Sequence, residues 1–164
     1  MSAILEARNF SAWYGRHPAL CDIALDALDH EILGVIGPAA SGKTTFLRAL
    51  NRLNDLVPDF RVEGTARFRG VDIYREAVDV AVLRRKLGMV FAVPVPLPGT
   101  IYENLLLGPR LNKTKTDTNA LVEKSLRAAY LWEEVKDRLR QSAFALSGGQ
   151  QQRLCLARTL MLEP

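Results

Sequence analysis

The chain has 164 residues, enough for one compact domain, and 48% of them are hydrophobic, so a disordered chain is excluded. No apolar run approaches the roughly 18 residues needed to span a bilayer, and Glu6 interrupts the stretch where a signal peptide needs its apolar segment. A net charge of +4 is modest, and the densest basic run, Arg84-Arg85-Lys86, has no aromatic residues interleaved. A solvated helix face is expected there, and no nucleic-acid partner is expected. Cys21 and Cys155 fit neither a disulfide framework nor a zinc pattern and read as buried, reduced thiols.

In chain order, residues 3–10 and 20–25 read as short strands separated by a turn around Gly15 and Pro18. Ile32-Leu33-Gly34-Val35-Ile36 is a short apolar run ended by Gly37-Pro38, and predicts a buried strand. Phe46, Leu47, Leu50 and Leu53 then recur at helical spacing. Val62, Gly64, Ala66 and Phe68 share one side of an alternating stretch and predict a half-exposed strand. Val80, Leu83 and Leu87 predict a short helix, and residues 88–93 a second buried strand. Pro94, Pro96 and Pro98 mark a boundary. Beyond it the chain reads as helical. Thr100 and Glu103 have capping-box spacing; helices follow through Leu121, Val122 and Leu126, and through Trp132, Val135 and Leu139. Ser147 and Gln150 repeat the capping-box spacing ahead of Leu154, Ala157 and Met161.

Two stretches carry chemistry. Gly37-Pro38-Ala39-Ala40-Ser41-Gly42-Lys43-Thr44 satisfies the G-x-x-x-x-G-K-[ST] pattern, with an apolar run before it and an apolar-faced helix after it. Successive backbone N–H groups leading into a helix start suit the clustered negative charge of a triphosphate. Lys43 can reach the β- and γ-phosphates, and the Thr44 hydroxyl can ligate magnesium. ATP and Mg²⁺ are therefore the expected ligands, with Thr45 extending the loop. Ser147-Gly148-Gly149-Gln150 is a second anion-suited helix start. Taken alone, it is as well explained by an ordinary capped helix.

With Leu146-Ser147-Gly148-Gly149-Gln150-Gln151-Gln152-Arg153 downstream of the loop, the chain resembles the ATPase subunits of ATP-binding-cassette (ABC) importers. More narrowly it is similar to the phosphate-importer subfamily, through residues 51–58, 70–74, 101–104 and 131–139. The resemblance implies an α/β phosphate-loop NTPase core with an N-terminal antiparallel β portion and a helical subdomain. Residues 1–93 would form the core part, 94–147 the docking loop and helical subdomain, and 148–164 the signature helix. It implies that Tyr14 stacks on adenine. It implies that Ser147–Gln150 contact ATP held by the loop of a second subunit in a head-to-tail homodimer. It also implies that membrane-spanning permease subunits dock near Pro94–Gly99, which places the chain on the cytoplasmic face of the cell membrane. The activity implied is ATP hydrolysis driving phosphate uptake. The alternative is a truncated or degenerate nucleotide-binding module without turnover.

Three departures from the family pattern stand in the sequence. Ala40 replaces a usual glycine, and a Cβ in a left-handed conformation costs about 1–2 kcal/mol. Ala92 replaces the glutamine that usually follows the strand ending Val90-Phe91. The acidic strand that would hold the Walker B aspartate and catalytic glutamate is absent from these residues, as is the later switch histidine. The chain alone is expected to be incomplete at its C-terminus and inactive in hydrolysis, with no catalytic residue assigned.

Overall fold

A computed structural model describes residues 3–112 and 117–164. The chain divides into two units, Met1–Leu87 and Gly88–Pro164. The boundary falls a few residues before the proline-rich stretch that the sequence marks.

The first unit is built on an antiparallel sheet of order β2-β1-β3-β4: β1 (Ala3–Tyr14), β2 (His17–Leu28), β3 (Phe60–Phe68) and β4 (Val71–Asp72). β1 and β2 are longer than the sequence indicates and close through a two-residue turn at Gly15-Arg16, with Tyr14 opposite His17. Pro18 lies inside β2, not in the turn. Gly64 has φ 83°, and a methyl there would lie 2.2 Å from the Asn9 carbonyl oxygen, so the bulge between β1 and β3 requires glycine. One face of the sheet gives Leu5, Ala7, Phe10, Ala12 and Ala66 to a core shared with Phe46, Ala49 and Leu50 of α1 (Lys43–Leu50), and with Ile73 and Leu83. The Phe10 ring meets those of Phe46 and Tyr74 at centroid distances of 6.3 and 5.9 Å. Removing a ring such as Phe46 from a core of this kind costs about 3–5 kcal/mol.

The predicted strand at Ile32–Ile36 does not form. Ile32 and Ile36 are 101% and 94% exposed, and no regular structure runs from the end of β2 to α1. An apolar run becomes a buried strand only when neighbours pair with its edges, and among the described residues none pairs with this one. The same correction applies to residues 88–93, where Phe91 and Val93 are exposed. Cys21 is likewise exposed, because alternation in β2 turns it to solvent; Cys155 is buried as expected.

α2 (Val80–Lys86) begins at Asp79, whose carboxylate accepts the N–H groups of Ala81 and Val82. Its basic run is not wholly a solvated face. Arg84 donates to the carbonyls of Asn51 and Arg52 at 3.1 and 2.7 Å, satisfying groups just beyond the C-terminus of α1.

The second unit is helical: α3 (Ile101–Leu111), α4 (Thr118–Ala128), α5 (Trp132–Val135) and α6 (Gly148–Leu160). Its core joins Ile101, Leu105, Leu126, Leu131, Val135, Leu154 and Ala157, among others. Both expected capping boxes form, Thr100 with Glu103 and Ser147 with Gln150. The Thr100 N–H and hydroxyl hold the Glu103 carboxyl below its usual range. The helix read through Trp132–Leu139 is instead α5 followed by a 3₁₀ turn at Lys136–Arg138. Asn104, 1% exposed, bonds both the N–H and C=O of Leu97 and fastens the proline-rich loop to α3.

Candidate nucleotide-binding site

Gly42 precedes α1 at φ 85°, and no side chain caps the helix. The first-turn N–H groups therefore face outward without an internal acceptor from a side chain, as an anion site requires. A methyl at Gly42 would lie 2.7 Å from the Ala19 carbonyl oxygen and 2.8 Å from a Leu20 methyl, so the loop sits directly on β2. Gly37 is at φ 155° and Ala40 at φ 60°. The alanine does occupy the left-handed conformation expected of it.

Pro18, Ala19 and residues Ala40 to Thr45 line a cleft of about 340 Å³. The Lys43 ammonium donates to the Gly37 carbonyl at 2.9 Å, to that of Pro38, and to the Ser41 hydroxyl at 3.1 Å. It thus closes the loop from within, and these neutral acceptors can be exchanged for phosphate oxygens. The Thr44 side chain is exposed at the cleft, whereas the Thr45 carbonyl accepts the Asn54 amide at 2.8 Å. Among the described residues no cluster of His, Cys, Asp and Glu could hold a metal ion. A single hydroxyl suits magnesium, which keeps waters and takes phosphate oxygens as ligands. The donors present therefore fit a magnesium triphosphate.

Tyr14 stands at the end of β1, half-buried, with its ring tilted on Phe60 at 5.1 Å and its hydroxyl donating to Asn54 Oδ1 at 3.3 Å. Asn54 was not legible as a site residue. Its partners are 40 and 9 residues away, and only the fold brings them together.

In the second unit, Ser147, Gly148 and Gly149 are exposed at the start of α6. The glycines have ordinary helical backbone, and a methyl on either would meet nothing within 4 Å. Nothing among the described residues requires glycine at either position. Gln150 accepts the Ser147 N–H at 3.0 Å and donates to Glu134 at 2.7 Å; Arg153 donates to the same carboxylate at 2.6 Å. Arg153 and Gln150 hold the Glu134 carboxyl below its usual range. Glu134, like Asn54, lies outside both motifs.

A glycine-bent loop, an uncapped helix start and an inward lysine define a phosphate-loop nucleotide-binding protein. The family model described as ABC transporter matches residues 20–164, and the chain belongs to that family. It is 50% identical over 160 residues to phosphate import ATP-binding protein PstB 1 of Synechococcus sp., covering 98% of this chain and 58% of the relative. It is 48% identical over 166 residues to phosphate import ATP-binding protein PstB of Thermotoga maritima, covering 100% and 66%. The chain thus spans about three fifths of the length of these relatives. Among solved structures, cbiO1 of Clostridium perfringens, part of the ABC transporter complex cbiONQ, superposes with a TM-score of 0.81. It is 20% identical, with 100% of this chain and 63% of that one covered, and shows the shared fold. A bacterial Atm1-family ABC exporter with ATP bound also gives 0.81, at 26% identity, with 98% and 27% covered. No helix among the described residues is long and apolar enough to cross a membrane.

Proposed function

We propose that these residues are the nucleotide-binding part of an ATPase subunit that energises import of inorganic phosphate. Nucleotide binding is carried by the cleft at the start of α1, and the cargo by the 50% identity to phosphate import ATP-binding proteins over 98% of the chain. Residues Gly37, Pro38, Ala39, Ala40, Ser41 and Gly42 wrap the phosphates with backbone N–H groups. Lys43 leaves the Gly37 and Pro38 carbonyls for phosphate oxygens, and Thr44 offers its hydroxyl to Mg²⁺, with Thr45 completing the first turn. Magnesium ATP supplies the reactive phosphoryl group, and the chain's own part is to bind, orient and neutralise it.

Tyr14 receives the adenine. Ser147, Gly148, Gly149 and Gln150 meet the phosphates of an ATP held by a second copy in a head-to-tail pair, which gives the two open glycines their purpose. Permease subunits dock on the loop at Pro94–Gly99, which Asn104 stiffens, and so hold the ATPase at the inner face of the membrane. The division into core, helical subdomain and signature helix follows the same assignment. Lys43→Ala tests the nucleotide site. Calorimetry with magnesium ATP is expected to show affinity lower by about 10–100-fold, from loss of a charge-assisted contact. Equal affinity in both proteins overturns the assignment.

A further inference from the structure

Asn54 is fully buried, yet both ends of its amide are occupied by groups of the candidate site. Its Nδ2 donates to the Thr45 carbonyl at 2.8 Å, and its Oδ1 accepts from the Tyr14 hydroxyl at 3.3 Å. The residue belongs to a single 3₁₀ turn, Leu53–Leu56, which follows α1 after a reversal at Arg52. Arg52 has φ 59° and is held there by its own contacts: two bonds to the Asp55 carboxylate at 2.7 and 2.8 Å, and stacking at 5.3 Å over the Tyr74 ring. Arg84 ties the Arg52 carbonyl down from α2. The turn presenting Asn54 is thus fixed from three sides. Tyr14 is fixed in turn, by Phe60 against its ring and Asn54 at its hydroxyl.

We infer that Asn54 is a positioning residue that ties the Tyr14 ring to the first turn of the phosphate-loop helix, so that the base platform and the phosphate cradle are held at one spacing before nucleotide arrives. The inference rests on the nucleotide-site reading above, in which Tyr14 receives the base. A ring already held in place loses less freedom on binding. That benefit reaches only ligands that carry a base.

The test is calorimetric titration of the full chain with magnesium ATP and with magnesium tripolyphosphate, which has the phosphates alone. Tyr14→Phe keeps the ring and removes the bond to Asn54. ATP affinity should fall about 2–10-fold, the range for one neutral hydrogen bond, while tripolyphosphate affinity stays within about twofold. Asn54→Leu, branched alike at Cγ but without polar atoms, should narrow the preference for ATP over tripolyphosphate by a similar factor. The double variant should narrow it no further than Asn54→Leu alone. If Asn54→Leu does not fold, Tyr14→Phe decides by itself. The inference is overturned if Tyr14→Phe binds ATP like the parent chain, if both ligands weaken in parallel, or if the two losses multiply. Lys43→Ala separates the two levels. If it binds both ligands unchanged, the site reading falls and this inference with it. If it loses both while Tyr14→Phe behaves like the parent, only the coupling falls.

Discussion

Ala40 allows the cost of a strained residue to be assigned to folding or to binding. At φ 60° its methyl crowds the backbone, at a cost of roughly 1–2 kcal/mol against glycine. Ala40→Gly removes that strain but releases a more flexible unfolded chain, which costs about 0.4–1 kcal/mol. The strain term is the larger, so the glycine variant should be more stable by about 0.5–1 kcal/mol, worth about 2–4 °C per kcal/mol in Tm for a chain of this size. The left-handed backbone at position 40 belongs to the folded loop, within which Lys43 bonds the Gly37 and Pro38 carbonyls. Strain relief therefore appears in the folding equilibrium and cancels from the binding equilibrium. Only the bulk of the methyl, which lines the cleft, can change affinity. Urea denaturation of the two proteins measures the first effect, and ATP titration the second. A glycine variant equal to or less stable than the parent would refute the strain assignment.

Two further outcomes follow from the same geometry. Gly42→Ala should lose more than about 1 kcal/mol of stability, because φ 85° disfavours any Cβ and the methyl would meet the Ala19 carbonyl oxygen at 2.7 Å, a backbone atom that cannot swing aside; an unchanged denaturation midpoint would contradict this. For Glu134, the folded-state pKa is depressed by Arg153 and Gln150, so its contribution is present above the ordinary value of 4.5 and is lost as pH falls through the lower folded value. Acid titration of the helical unit by circular dichroism should show a loss below pH 4.5 that is smaller in Glu134→Gln, and identical acid profiles would remove Glu134 from the account.

What was legible in the sequence depended on how far each signal reached along the chain. Both capping boxes and the helix at Val80–Lys86 are set by residues within four positions of one another, and all appear as read; the left-handed Ala40 is implied instead by the family resemblance, and it too is found. The runs 32–36 and 88–93 carry the composition of buried strands, but a strand exists only through its neighbours, and neither run has one among the described residues. The surroundings of Arg84 and Cys21 are hidden from the sequence for a similar reason. Whether an arginine reaches a helix end 33 residues away, or a thiol in a strand faces water, is decided by packing.

The candidate site divides along the same line. The groups proposed to meet phosphate lie in two contiguous stretches, one in each unit, because an anion cradle made of successive backbone N–H groups must be contiguous. Its supports are scattered, since a side chain that fixes a loop from behind can come from anywhere in the fold. Asn54 lies behind Thr45, and Glu134 behind Gln150. Asn54 takes the position with both amide ends bonded inside a buried core, and Glu134 with a carboxylate shared between an amide and a guanidinium. Each motif is a short exposed helix start, uncapped at α1 and closed by a capping box at α6, with one polar side chain from elsewhere bonded to its first turn. Such supports carry much of a site's precision, and a change in either should alter ligand preference while both motifs remain intact in the sequence.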